Sequence, residues 1–194
     1  RLFYNTGKRI NNGLVRLGHS VLELSDRDVL SNHRKLTDLN GAKFLNNKLL
    51  SIIGNYSPDI IILGHADLID IKTLKIIKNY YPQIKISQWF LDRMDSHWIS
   101  NKKRFLNKLD LMDASFCTTN PDVLKFPKTK LIYFMPNPVD ESFEVLKNYK
   151  YKNLKNDVFF AMSHGVHRGV LKKGKFDARE NFLTKLTNKL PNIK

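Results

Sequence analysis

The stretch Leu131-Ile132-Tyr133-Phe134-Met135-Pro136-Asn137-Pro138-Val139-Asp140 decides how the chain divides. Five apolar residues read as a strand. Two prolines one residue apart then stop it, because each lacks a backbone donor and fixes its own φ. A polar segment rich in Lys and Asn follows over 147–156, and a second apolar run, Asp157-Val158-Phe159-Phe160-Ala161-Met162, leads into Ser163-His164-Gly165. One sheet is expected to end before Pro136 and another to begin at Asp157. The pattern predicts one α/β domain over 1–140, a linker over 141–156 and the start of a second domain over 157–194.

Upstream, strands and helices alternate. Helical spacing of Phe3, Ile10, Leu14 and Leu17 predicts a helix over 1–17, stopped at Gly18. Val21-Leu22-Glu23-Leu24 reads as a short strand and Ser25-Asp26-Arg27-Asp28 as a solvated loop. Helices are expected over 41–56, 70–81 and 98–109, and strands at Ile60-Ile61-Ile62-Leu63, over 84–90, at 114–119 and at 131–135. The β-branched run between Pro58 and Gly64 is what a strand covered on both faces needs. Asp177 and Glu180 sit at capping-box spacing ahead of a last helix with Phe182, Leu183, Leu186 and Leu190 on one face. This alternation predicts an α/β protein with a Rossmann-like parallel sheet flanked by helices, followed by the first βα unit of a second Rossmann-like domain. The strand that should precede the first helix is missing, and the last βα unit cannot bury both its faces, so both ends are expected to continue in a longer protein.

The chain has 194 residues, 42% of them hydrophobic, which suits a globular protein rather than a disordered one. No apolar run reaches the ~20 residues of a membrane span, and no signal peptide is visible. The single cysteine, Cys117, excludes an internal disulfide framework, fits a reducing, cytoplasmic setting and reads as a buried structural thiol. The formal charge of +15 suits phosphate-bearing partners, including an anionic membrane touched peripherally. The lysines are scattered through a Lys-, Asn- and Ile-rich sequence, so coding bias accounts for part of that charge.

Several motifs, in this order, resemble two-domain glycosyltransferases of the GT-B fold. Gly18-His19-Ser20-Val21 is similar to their Gly-His-x-Val, Pro58-Asp59-Ile60-Ile61 to their Pro-Asp strand opening, and Asn137-Pro138-Val139-Asp140 to the Asn-x-Val-Asp at their domain crossover. Trp89-Phe90-Leu91-Asp92 and Arg179-Glu180-Asn181-Phe182-Leu183 resemble the branch related to the spore-maturation protein CgeB. The resemblance implies a nucleotide-sugar donor, bound mainly by the second domain near its first glycine-bearing loop. Here that loop would hold Gly165, Arg168, Gly169, Lys172 and Lys173, where backbone N–H groups and cations could neutralise a diphosphate. It implies an acceptor, a glycan, lipid or protein, on the first domain. Most of the second domain is absent, so this stretch alone is expected to be inactive.

Ligands of open α/β sheets bind beyond the carboxyl ends of the strands. His65 and Asp67 follow one strand; Asp92, Asp95, His97 and Trp98 follow the next. Asp92 and His65 are the candidate catalytic groups, Asp92 as a base or acceptor-orienting carboxylate. Asp67, Trp89, Asp95 and His97 are candidates for holding the acceptor, although Trp89 reads more readily as core than as a sugar platform. His164, His167, Asp95 and His97 match no zinc spacing, so neither metal nor cofactor is expected. Two other readings stay open: a basic Rossmann-like module binding nucleotide or RNA without catalysis, and a nucleotide-dependent epimerase or dehydrogenase. The first needs aromatic side chains interleaved with lysines on an exposed face, and specific nucleic-acid binding is not expected. The second needs a glycine-rich fingerprint, and the missing first strand hides the place where it would stand.

Overall fold

In a computed structural model, the structure describes residues 6–153, 155–160, 178–190 and 192. The protein is α/β. Its sheet has four parallel strands, β1 (Ile60–Leu63), β2 (Lys85–Phe90), β3 (Ala114–Cys117) and β4 (Ile132–Phe134), in the order β1-β2-β3-β4. Three helices precede the sheet: α1 (Thr6–Arg16), α2 (Asp26–Asn32) and α3 (Ala42–Tyr56). The crossovers carry α4 (Ile71–Tyr80), α5 (Ile99–Leu106) and α6 (Pro121–Leu124), as parallel neighbours require. A last helix, α7, spans Ala178–Lys189. The chain divides into two compact units, Arg1–Phe143 and Glu144–Lys194.

β2 is the centre of the first unit, with each residue from Ile86 to Phe90 buried. On its helix-covered face Ile86 joins Leu45, Leu49, Ile53, Leu63, Leu74 and Ile77 in one core cluster. Phe90 joins Met94, Phe105, Leu109, Cys117 and Leu124 in a second. Between them sits buried Gln88, whose Nε2 donates to the Phe105 carbonyl (3.2 Å) and to Ser115 Oγ (3.1 Å). That amide ties α5 to the sheet and satisfies itself in the dry interior, as a buried polar group must. Asp113 staples α4 to the sheet by accepting from Lys78 Nζ (2.5 Å) and the Ile86 N–H (2.7 Å). Burial pushes its carboxyl up, but the Lys78 and Ile86 hydrogen bonds outweigh this and leave it below its ordinary range. Cys117 is buried, its thiol pushed up to about 11 by burial.

Beyond β4 the twin-proline segment ends on Asp140, which is 1% exposed. Its carboxylate accepts from both Arg16 Nη atoms (3.3 and 3.2 Å) and from the Ser142 N–H (2.8 Å) and hydroxyl (2.6 Å), joining the end of α1 to the end of the sheet domain. The Ser142 hydroxyl, more than burial opposes it, holds this carboxyl well below the usual range, with the Ser142 N–H and Arg16 adding to the effect.

Four expectations need correction. Residues 21–24 form no strand, and no described strand lies alongside to complete a ladder. The solvated loop at 25–28 is instead the start of α2, where Ser25 accepts from the Asp28 N–H and Asp26 and Asp28 lie in the first turn, favoured there by the helix dipole. β1 is covered on one face only. Ile61 and Leu63 face the core, whereas Ile60 and Ile62 on the other face are 59% and 44% exposed. The strand expected over 157–162 is not formed across its described part: residues 157–160 belong to no described strand and are exposed, and of the expected βα unit the described residues show only the helix. Residues 161 and 162 lie outside the described residues.

Phe105 is fully buried, edge-on to Phe90 (5.8 Å) and tilted against Phe126 (5.1 Å). Replacing Phe105→Ala is expected to lower the unfolding free energy by about 3–5 kcal/mol, read as a shifted urea midpoint with an unchanged slope.

Candidate functional site at the carboxyl ends of β1 and β2

Loops leaving β1 and β2 emerge side by side, because these strands are parallel neighbours with Leu63 level with Gln88. The β1–α4 loop carries Gly64, His65, Ala66 and Asp67. Ala66 adopts φ +41°, a conformation that costs a non-glycine residue energy and so needs outside support. Three side chains supply it. Buried Asn46 of α3 donates to the Leu68 carbonyl (2.9 Å) and accepts the Asp70 N–H (2.9 Å). Lys108, 5% exposed, donates its ammonium to the Ala66 carbonyl. Arg104 of α5 grips Asp67 with two nitrogens, Nε to Oδ1 (3.1 Å) and Nη2 to Oδ2 (2.5 Å).

Arg104 also reaches across to the β2 loop. Its Nη1 donates to Asp92 Oδ2 (3.2 Å) and Asn101 Oδ1 (3.3 Å), and its guanidinium lies over the Phe90 ring, 5.3 Å from the centroid. The hydrogen bond to Asp67 foremost, with Asp92 behind it, holds the guanidinium above its ordinary range against the opposing effect of burial. One cation therefore sets the spacing of two carboxylates that belong to different strands.

His65 stacks on Phe90, 4.6 Å between centroids and 8° from parallel. Its Nε2 lies 3.4 Å from the Leu91 N–H, and its Nδ1 lies 3.6 Å from Asp92 Oδ2 and 3.1 Å from Arg104 Nη2. A backbone N–H and a guanidinium can only donate, and a neutral imidazole has one acceptor nitrogen, so the ring accepts either from Arg104 at Nδ1, the shorter contact, or from Leu91 at Nε2. Asp92 Oδ2 accepts from Arg104 Nη1 and lies 3.6 Å from the ring nitrogen, beyond hydrogen-bond length. Thr118 at the end of β3 closes the base of the site by donating Oγ1 to the Leu91 carbonyl (2.7 Å).

The structure thus brings His65, Asp67 and Asp92 together. Asp95 is close by but paired with Arg93. Asp92, Arg93, Trp98 and Asn101 line an open hollow of about 240 Å³, with Trp98 half exposed. His97 lies in the short 3-10 turn Ser96–Trp98 beside that hollow. Trp89 is not brought to the cluster: it is 3% exposed within β2, on the sheet face opposite Gln88 and Phe90, and its Nε1 has no hydrogen-bond partner among the described residues. Gly165, Arg168, Gly169, Lys172 and Lys173 lie outside the described residues. Among the described residues no group of three His, Cys, Asp or Glu side chains could hold a metal ion.

Sequence reasoning passed over Arg104, Lys108 and Asn101. Arg104 and Lys108 stood in a run of basic residues that reads as a solvated helix face. The available signal was their spacing of four around Phe105, which puts two cations beside the core rather than opposite it. No family model, curated protein or solved structure matches this chain.

Burial pushes the Lys108 ammonium below its ordinary value of 10.5, although Asp67, Asp70 and Asp26 pull the other way. The unfolded chain then holds that proton more tightly than the folded one. Stability should rise with pH between the depressed folded value and 10.5 as the folded protein is relieved of a buried charge. Lys108→Met should lack this rise. The measurement is the difference in urea midpoint between the two proteins across the alkaline range.

Proposed function

We propose that the protein is a glycosyltransferase in which the β1 and β2 loops hold the acceptor of a sugar delivered from a nucleotide-sugar donor. The observation that supports this most is the convergence of His65, Asp67 and Asp92 on Arg104 at the ends of adjacent parallel strands, where open α/β sheets place ligands. The order of the motifs that resemble GT-B enzymes supports it from the sequence side.

Glycosyl transfer forms a bond from the acceptor oxygen to the anomeric carbon, breaks the bond from that carbon to the diphosphate and removes the hydroxyl proton. Asp92 suits the acceptor side. Its Oδ2 is occupied by Arg104, but Oδ1 takes no hydrogen bond from a described residue, and the side chain is 45% exposed. An incoming hydroxyl can donate to Oδ1 while the carboxylate stays oriented, and can pass its proton there as the new bond forms. Arg104 keeps that carboxylate in place. Trp98 offers a half-exposed ring at the edge of the hollow, against which the apolar face of a sugar can lie. The resemblance alone assigns the leaving diphosphate to Arg168, Lys172 and Lys173, which lie outside the described residues.

In this reading a nucleotide-sugar raises the melting temperature of the whole protein, whereas NAD and single-stranded RNA do not; stabilisation by RNA alone would contradict it. Asp92→Asn keeps the shape and removes the base. It is expected to lower turnover by about 10²–10⁴-fold with little change in donor KM, measured by release of nucleoside diphosphate.

A further inference from the structure

We propose that the segment over 144–155 is a docking surface for bilayers containing anionic phospholipid, a property independent of sugar transfer. Each described residue of this segment is exposed. Its described apolar members are well out in solvent: Val145 63%, Leu146 79%, Tyr149 81% and Tyr151 66%. Lys147, Lys150, Lys152 and Lys155 alternate with them. Glu144 opens the segment and Asp157 follows it, and among the described residues none of the four ammonium groups forms an ion pair. The backbone is nonetheless ordered at the centre. Lys150 N–H donates to the Lys147 carbonyl (2.9 Å) and Tyr151 N–H to the Asn148 carbonyl (3.0 Å), forming one 3-10 turn, Asn148–Lys150.

Two classes of anion fit exposed lysines among aromatic rings, and the aliphatic residues choose between them. Single-stranded nucleic acid is held by stacking of bases on aromatic faces. Val145 and Leu146 have no π-face and gain nothing from a base. At a bilayer surface each residue type has a use: aliphatic side chains enter the acyl boundary, tyrosines sit at headgroup level with ring inward and hydroxyl in water, and lysines meet anionic headgroups. The charge complements phosphatidylserine or phosphatidylinositol rather than a neutral lipid. Among the described residues no helix is long and apolar enough to cross a membrane, so any contact through these residues is made from one side.

The test is co-sedimentation of the whole chain with vesicles of phosphatidylcholine alone and of phosphatidylcholine with about one third phosphatidylserine, alongside a fluorescent single-stranded oligouridine. The protein should bind the serine-lipid vesicles, not the neutral ones, and should release as salt is raised. The triple variant Lys147→Gln, Lys150→Gln, Lys152→Gln should weaken partitioning by about 100-fold. Leu146→Ser with Tyr149→Ser should weaken it by about tenfold with charge unchanged. Far-ultraviolet circular dichroism checks that both variants fold. The proposal is overturned by absence of vesicle binding, by equal binding to both lipid mixtures, by binding that neither variant changes, or by oligouridine binding that the vesicles do not compete.

Discussion

A buried ammonium holding a backbone carbonyl is the contact on which the arrangement at the strand ends depends. Lys108 lies beneath the loop leaving β1 and donates to the Ala66 carbonyl, in a place where burial disfavours its charge. Removing a charge from water is costly unless it is repaid by hydrogen bonds and opposite charges. Here the carbonyl provides the first, and Asp67, Asp70 and Asp26 provide the second. In return, Ala66 is held at a positive φ that an unsupported loop would abandon. His65 and Asp67, on either side of it, are thereby turned toward Arg104.

The end of α5 and the turn that follows it do this twice. Arg104, one helical turn before Lys108, bonds outward to Asp67 and Asp92, while Phe105 between them fills the core below Phe90. Core packing and site geometry therefore share a scaffold. The Gln88 amide, bonded to the Phe105 carbonyl and to Ser115, fixes that part of α5 against the middle of the sheet. A shift of α5 would move both cations and so both carboxylates. Such rigidity suits a group that must orient a hydroxyl, because misplacement by about 1 Å costs orders of magnitude in rate.

Much of the sheet domain was legible from residue patterns. The apolar runs at 60–63, 85–90, 114–117 and 132–134 are short, bounded by turns and separated by helical periodicity, which leaves little alternative to parallel pairing. His65, Asp67 and Asp92 could be singled out because strand ends are where such folds gather polar groups. What escaped was long-range. Val21 to Leu24 has the composition of a strand, but a strand exists only beside a partner, and composition carries no information about partners. Ser25-Asp26-Arg27-Asp28 contains an N-cap and two first-turn carboxylates, a local signal that was present and misread. Arg104 and Lys108 look like any surface cations until α5 is placed, when one becomes a bridge between loops and the other a buried pin. Trp89 was ambiguous for the opposite reason: aromatic residues serve cores and ligands alike, and its burial within β2 places it away from the cluster.

Amide hydrogen exchange at Ile69 examines this dependence most directly. The Ile69 N–H donates to the same Ala66 carbonyl that Lys108 holds, at 3.1 Å. In Lys108→Met the exchange of Ile69 should accelerate strongly, together with that of its loop neighbours, while the amides of β2 keep their protection. Unchanged exchange at Ile69 in a folded Lys108→Met protein would show that the loop is held by other means, and that α5 does not build the site.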